Sequence, residues 1–239
     1  MRDWDYGFAT GKIASLEKKI APPQFLESLL ELPLEMAFQR VREGFFLPWE
    51  YKNNDAFLES IFVKEEMILK ETCLILLKDS YLRSIFEDIE KPDNLLEKAE
   101  KSIFFQEFLR LYFNVLNTII FLRIRTYNLK EEFYDYKNKE ILLRRLERED
   151  FIALGELTKQ FYFEAKDIIV SKRNYLLEFL KEKYFIKFFE IKKVNLLSPN
   201  LVFWYYFAKK LNLKISNFLI LGKFYDLNKT ILKRVIEYA

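Results

Sequence analysis

The sequence predicts an all-α fold of repeated helical lobes, funnel-like or elongated, with no significant sheet. Three observations predict it. Apolar residues recur every three or four positions almost throughout the chain, the period of a helix with one buried face. Five Gly and six Pro in 239 residues leave few turns and long elements. The chain also repeats itself: Lys101 to Phe133 and Pro199 to Ile231 align without a gap at an offset of 98 residues. The identities are Phe105 with Phe203, Asn114 with Asn212, Tyr127 with Tyr225 and Leu129 with Leu227. Both copies end alike, Arg125-Thr-Tyr-Asn-Leu129 facing Lys223-Phe-Tyr-Asp-Leu227, a cation, a tyrosine, an Asx turn residue and a leucine in one order. A repeated lobe points to a scaffold. Alternating runs bounded by Gly or Asn-Gly, the mark of strands and hairpins, do not occur.

Taken in order, Asp3 or Asp5 caps a first helix to about Ile20, which Pro22-Pro23 stops. Pro33 suits the first turn of a short helix that Gly44 closes. Asp55 starts a long run, Ala56 to about Glu90, ended by Lys91-Pro92. Asp93 caps the first repeat copy, whose stripe is Phe105, Phe108, Leu109, Tyr112, Val115, Leu116, Ile119 and Leu122. After the Tyr127-Asn128 turn, Glu131 to Leu146 reads as a helix with an acidic start and a basic end, Arg144 and Arg145, which suits the macrodipole. Asp150 can cap a short segment that Gly155 interrupts. Phe161 to Val194 reads as one long helix, with Ile168, Ile169, Tyr175, Leu176, Phe179, Leu180 and Phe185 on its face. Ser198-Pro199 is an N-cap and first-turn signature for the second copy. The expected divisions are 1–91, a partial or degenerate N-terminal lobe; 92–195, the first clear repeat lobe with a long connecting helix; and 196–239, the C-terminal repeat lobe.

Composition excludes several classes. With 51% hydrophobic and 31% charged residues the chain is too apolar for disorder and too charged to sit within a bilayer. The absence of histidine removes the commonest metal ligand and general base, and with them Ser/His and Cys/His nucleophile pairs. Cys73, the single cysteine, lies in an apolar run and is expected as a buried thiol in a reducing compartment. Met1-Arg-Asp-Trp-Asp-Tyr6 carries acids where a secretory leader would be apolar. The longest uncharged stretch, Val194 to Ala208, has fifteen residues, short of the ~20 that cross a bilayer as a helix. The expected location is cytoplasmic. Residues 1–120 carry 15 Lys/Arg against 21 Asp/Glu and residues 121–239 carry 24 against 15, net −6 and +9. That polarity fits either partners of different charge at the two ends or a solvated surface with accidental drift, and with partners of that kind association is expected to be partly electrostatic.

Candidate sites follow from residue type. Glu87-Asp-Ile-Glu90 and Glu131-Glu132 with Asp135 could hold Mg²⁺, but no matching acidic motif faces them, so solvated helix surface is the reading, and no cofactor is expected. Lys181 to Lys193 interleaves cations with aromatics, as single-stranded nucleic-acid binders do when the rings are exposed. At helical spacing the rings are expected in a core with the lysines in water. Phosphate-cradling Gly-rich loops are missing. Phe203-Trp-Tyr-Tyr-Phe207 is five consecutive aromatics, which cannot share one face at about 100° per residue. Either their helix is enclosed on most sides or part of the patch meets a partner.

Three segments carry a family resemblance. They are Tyr6-Gly-Phe-Ala-Thr-Gly-Lys-Ile-Ala-Ser-Leu-Glu17, Tyr112 to Arg125, and Leu196-Leu-Ser-Pro199 through Leu221-Gly-Lys223. Together with the repeat they resemble the C/d family of V-type and A-type ATPase subunits, as a shortened member. Asn114 and Asn212 stand where that family has Asp or Glu, Ile119 and Asn217 where it has Arg, and Ile215 where it has Asn. Two good copies are present where the family has three similar lobes forming a funnel. The resemblance implies a non-catalytic spacer between the rotor ring and the central stalk, peripheral on the cytoplasmic membrane face, coupling ATP hydrolysis to ion transport. The interface residues expected on this reading are Arg123, Arg125, Trp204, Tyr205 and Lys223. The alternative is a free-standing helical adaptor or nucleic-acid-binding module.

Overall fold

Every regular element among the described residues is helical, as the apolar period predicts. The computed structural model describes residues 7–17, 20–45, 54–191 and 200–238. Among them are twelve α-helices, one 3-10 turn and no strand. The helices are α1 (Gly7–Glu17), α2 (Pro23–Glu31), α3 (Leu34–Phe45), α4 (Asp55–Leu76), α5 (Ser80–Glu87), α6 (Pro92–Ala99), α7 (Ile103–Tyr127), α8 (Lys139–Glu147), α9 (Glu156–Val170), α10 (Leu177–Ile191), α11 (Asn200–Phe224) and α12 (Lys229–Ile236), with the 3-10 turn at Asn174–Leu176.

Several expected boundaries move, each for a local reason. The run from Ala56 to Glu90 is two helices: Leu77 is extended, and the Asp79 side chain accepts from the Leu82 amide to start α5. Its start is capped by Asn54, which accepts from the Phe57 amide at 3.0 Å, one residue before the expected Asp55. Asp93 falls inside α6, and Ser102 caps the first repeat helix. The helix expected over Glu131–Leu146 begins only at Lys139, because residues 128–136 have no regular structure and are held by side-chain contacts described below. Phe161–Val194 is interrupted at 171–176, where Lys172 takes a left-handed φ of 57° and the 3-10 turn follows. Gly44 lies within α3 and does not close it. The Asp3, Asp5 and Ser198-Pro199 caps lie outside the described residues.

The chain divides into two compact units, Met1–Lys78 with Phe189–Ala239, and Asp79–Phe188. This differs from the expected cuts at 91/92 and 195/196. The C-terminal copy does not stand as its own lobe because α11 is the central helix of the first unit, packed by α4, α1, α3, α2 and α12. Leu201, Val202, Phe203, Tyr205, Tyr206, Phe207, Leu211, Leu213, Ile215, Leu219 and Ile220 of α11 are all buried. An apolar side chain fully buried contributes about 1.5–3 kcal/mol, so a helix carrying this many is most stable when surrounded on most sides. Phe189 stacks on Phe203 at 5.7 Å and Phe207 at 5.5 Å between ring centroids. Gly222 lets α12 close on α11, since a Cβ there would meet the Leu232 side chain.

In the second unit α7 is central, with α6, α8 and α9 packed on it. Phe108, Phe113 and Val115 are buried along it, Phe108 and Val115 in the expected stripe. The Phe185 ring stacks on Tyr112 at 4.9 Å and meets Phe108 edge-on at 5.6 Å. Tyr184 is fully buried, and its hydroxyl donates to Glu164 at 2.8 Å.

Candidate functional site

The two repeat helices share more than sequence. Each has 25 residues, and each is followed by a left-handed residue at the matched position, Asn128 with φ 52° and Asp226 with φ 54°. Asn and Asp are among the few L-residues that adopt this conformation readily, and it satisfies the last carbonyls of a helix. The Leu227 amide accordingly donates to the Gly222 carbonyl at 2.7 Å. Leu129 and Leu227, one residue further on, have matching exposures of 39% and 40%. The second helix of the pattern does not match: α12 starts three residues after Asp226, whereas α8 starts eleven after Asn128.

Asparagines on both repeat helices tie other parts of the chain to them. Asn212, buried on α11, accepts from the Ala21 amide at 2.7 Å and donates to the Ala21 carbonyl at 3.3 Å. Asn114 on α7 accepts from the Tyr136 hydroxyl and donates to Thr158 at 3.2 Å. Asn117, fully buried one turn on, accepts from the Tyr134 amide at 2.8 Å and donates to the Tyr134 carbonyl at 2.9 Å. The sequence marks Asn114 and Asn212 as a repeat identity and as departures from acids, and Asn117 as part of the Tyr112–Arg125 segment that carries the resemblance, but it assigns none of them a partner. The signal available was a polar amide inside an apolar stripe, which must find a partner when buried.

The five expected interface residues are divided between the units, Arg123 and Arg125 on Asp79–Phe188 and Trp204, Tyr205 and Lys223 on the other. Arg123 pairs with Glu131 at 2.9 Å and Arg125 with Glu149 at 3.7 Å, both partly exposed on the second unit. Trp204 is half-buried on α11, its indole donating to Glu190 at 3.3 Å. Tyr205 is only 3% exposed, and burial pushes its hydroxyl pKa up. Its neighbours Phe203, Tyr206 and Phe207 are buried with it, so enclosure of the helix, not a partner, accounts for most of the patch. Lys223 lies nineteen residues beyond Trp204, about 28 Å along a helix axis. It caps the end of α2, donating to the carbonyls of Leu30 at 2.9 Å and Leu32 at 2.7 Å. Burial lowers its pKa.

The remaining candidates are held structurally. Asp88 is bound by Lys98 and Asn94, Glu131 by Arg123 and Asp135 by Lys139. Among the described residues no group of three acids or thiols is placed to hold a metal ion. In the Lys181–Lys193 segment Tyr184, Phe185, Phe188 and Phe189 are buried, so these rings offer no stacking platform for bases. Lys192 and Lys193 lie outside the described residues. Cys73 is fully buried, and desolvation pushes its thiol pKa up, which keeps it unreactive. No described helix is long and apolar enough to cross a membrane.

These residues define an all-α protein built on a twice-used long helix whose buried amides pin extended chain. Neither family models, curated proteins nor solved structures give a match to it.

Proposed function

We propose that this chain is a non-catalytic coupling subunit of a rotary V-type or A-type ATPase, standing between the central stalk and the membrane rotor ring on the cytoplasmic side. The observation that carries the reading is the duplicated 25-residue helix with its left-handed stop at the matched residue. It supports the resemblance drawn from the repeat and from the Tyr6–Glu17, Tyr112–Arg125 and Leu196–Lys223 segments. Arg123 and Arg125 are the residues best placed to meet a partner, since their side chains are 41% and 57% exposed. On the other unit, Trp204 is a partly exposed ring that a partner can meet on its own. Tyr205 is withdrawn by burial and Lys223 acts within the fold. The chain binds proteins and performs no chemistry of its own.

Affinity capture of the tagged full-length protein from gently solubilised membranes tests this. Ring and central-stalk subunits are expected in the eluate. Retention of nucleic acid without those subunits would favour the module reading, and capture of neither class would leave a free-standing adaptor.

A further inference from the structure

Between α7 and α8 the chain from Asn128 to Asn138 has no regular structure, and residues 129–135 make no backbone–backbone hydrogen bond among the described residues. It is nevertheless ordered against α7 by side chains. From the start of this strap onward, Glu131 pairs with Arg123, the Tyr134 backbone is gripped on both sides by Asn117, and the Tyr136 hydroxyl donates to Asn114. The Tyr136 ring stacks on the buried Phe113 at 5.2 Å and 12°. The partners fall in the order 123, 117, 114, so the strap runs antiparallel to the helix. Residues 114 to 123 cover about 13.5 Å of helix, and residues 131 to 136 can reach at most about 17–18 Å, enough for each anchor to find its partner.

Two features set this contact apart from ordinary packing. The buried Asn117 amide reads a peptide backbone, so the grip is independent of the side chain at the gripped position. The chain lying there is largely in water: Tyr134 is 41% exposed and the Asp135 side chain 89%. Few buried contacts and no backbone ladder are the properties of segments that open locally without global unfolding. On the other repeat helix Asn212, at the position matched to Asn114 and not to Asn117, also bonds both backbone groups of one residue, Ala21, 191 residues away in sequence. The covered face is basic at both ends, Arg123 pairing with Glu131 and the charge of Arg110 acting on the Tyr136 hydroxyl.

We propose that residues 128–138 are a displaceable strap, and that the α7 face beneath it docks an extended acidic segment of a partner protein. That segment carries a carboxylate three residues before the gripped peptide unit and a tyrosine two residues after it. The strap mimics this ligand and keeps the buried Asn117 amide satisfied when the partner is absent. The inference rests on α7 alone and stands whether or not the partner belongs to a rotary ATPase.

The probe is a fluorescent synthetic peptide with the sequence of residues 128–138, titrated by anisotropy into the full-length protein. Weakening the chain's own strap with Glu131→Ala and Tyr136→Ala is expected to tighten peptide binding at least tenfold over wild type. Adding Asn117→Ala is expected to abolish that gain. Equal or absent binding to both proteins, binding that survives Asn117→Ala, or a strap variant that dimerises by exchanging straps would overturn the proposal. Hydrogen exchange on the unaltered protein guards against misfolded variants. The Tyr134 amide is expected to exchange at least a hundredfold faster than that of Val115, and equal protection would mean that the strap opens only on global unfolding.

Discussion

Asn212 ties the α1–α2 connection to the central helix of its unit by bonding both the N–H and the C=O of Ala21. Removing the amide leaves a half-buried N–H and C=O without their partner, at a cost of about 1–3 kcal/mol. Asn212→Ala should lower the unfolding free energy measured in urea by that amount, with little change in slope. Lys210 gives a second residue-scale outcome. It is 7% exposed, 3.0 Å from Glu66, and its pKa is lowered to about 8 by burial and then by Lys214, against the pull of Glu66. Below about pH 8 it is charged in both folded and unfolded chains, so the cost of burying that charge is fully present. As pH rises towards 10.5 the folded state gives up its proton first, the unfolded state binds more protons, and stability rises. Between about pH 8 and 10 the wild type should therefore gain stability relative to Lys210→Met. A constant difference across that range would contradict the burial assigned to this amine.

At the scale of elements, the long helices and their stops were legible, and the breaks between them were not. Asn128 and Asp226 announce left-handed stops because their short polar side chains tolerate that conformation. A β-branched side chain does not, so Asn128→Val and Asp226→Val should each cost about 1–2 kcal/mol, measurable by thermal unfolding. Lys172, left-handed without an Asx side chain, is the converse, and Lys172→Gly should raise stability by a few tenths to ~1 kcal/mol. Of the interruptions at 77–79, 128–138 and 171–176, the first and third lie in stretches that read as continuous helix, and the second outlasts the turn expected at Tyr127-Asn128. What breaks the second is Asn117 gripping Tyr134 from another element, a tertiary contact that no local spacing encodes. Helical period shows that Phe203–Phe207 must face several directions. Only the packing of α4, α1, α3, α2 and α12 around α11 decides that nearly all those directions lead into a core.

At the scale of the whole molecule, the division into units changes the electrostatic argument. Cut at its middle, the sequence is acidic then basic. The fold instead joins the N-terminal 78 residues to the C-terminal 51, which together hold 19 Lys/Arg and 16 Asp/Glu, while Asp79–Phe188 holds 20 of each. The 15-charge difference between sequence halves becomes a difference of three between folded units. Part of the opposite charge pairs within the first unit, with Lys210 buried in its pair with Glu66 and with Lys229 and Glu31 paired on the surface. The sequence predicts an association partly driven by charge. With the charges so mixed within each unit, raising salt from about 0.05 to 0.5 M should weaken partner capture by less than about tenfold, through screening of exposed charges such as those of Arg125 and Glu149. The candidate interface was legible only in part for the same reason: residue type marks a side chain that can meet a partner, but the three-dimensional neighbours decide whether it is still free to do so.

The central claim is coupling, and deletion of this chain tests it most directly. Inverted membrane vesicles from the deletion strain, with and without purified protein added back, would be assayed for ATP hydrolysis and ATP-driven ion uptake together. Loss of ion uptake with hydrolysis persisting in the catalytic head, and recovery of uptake on adding the protein back, is the expected result. Unchanged ATP-driven uptake in the deletion strain would contradict the account.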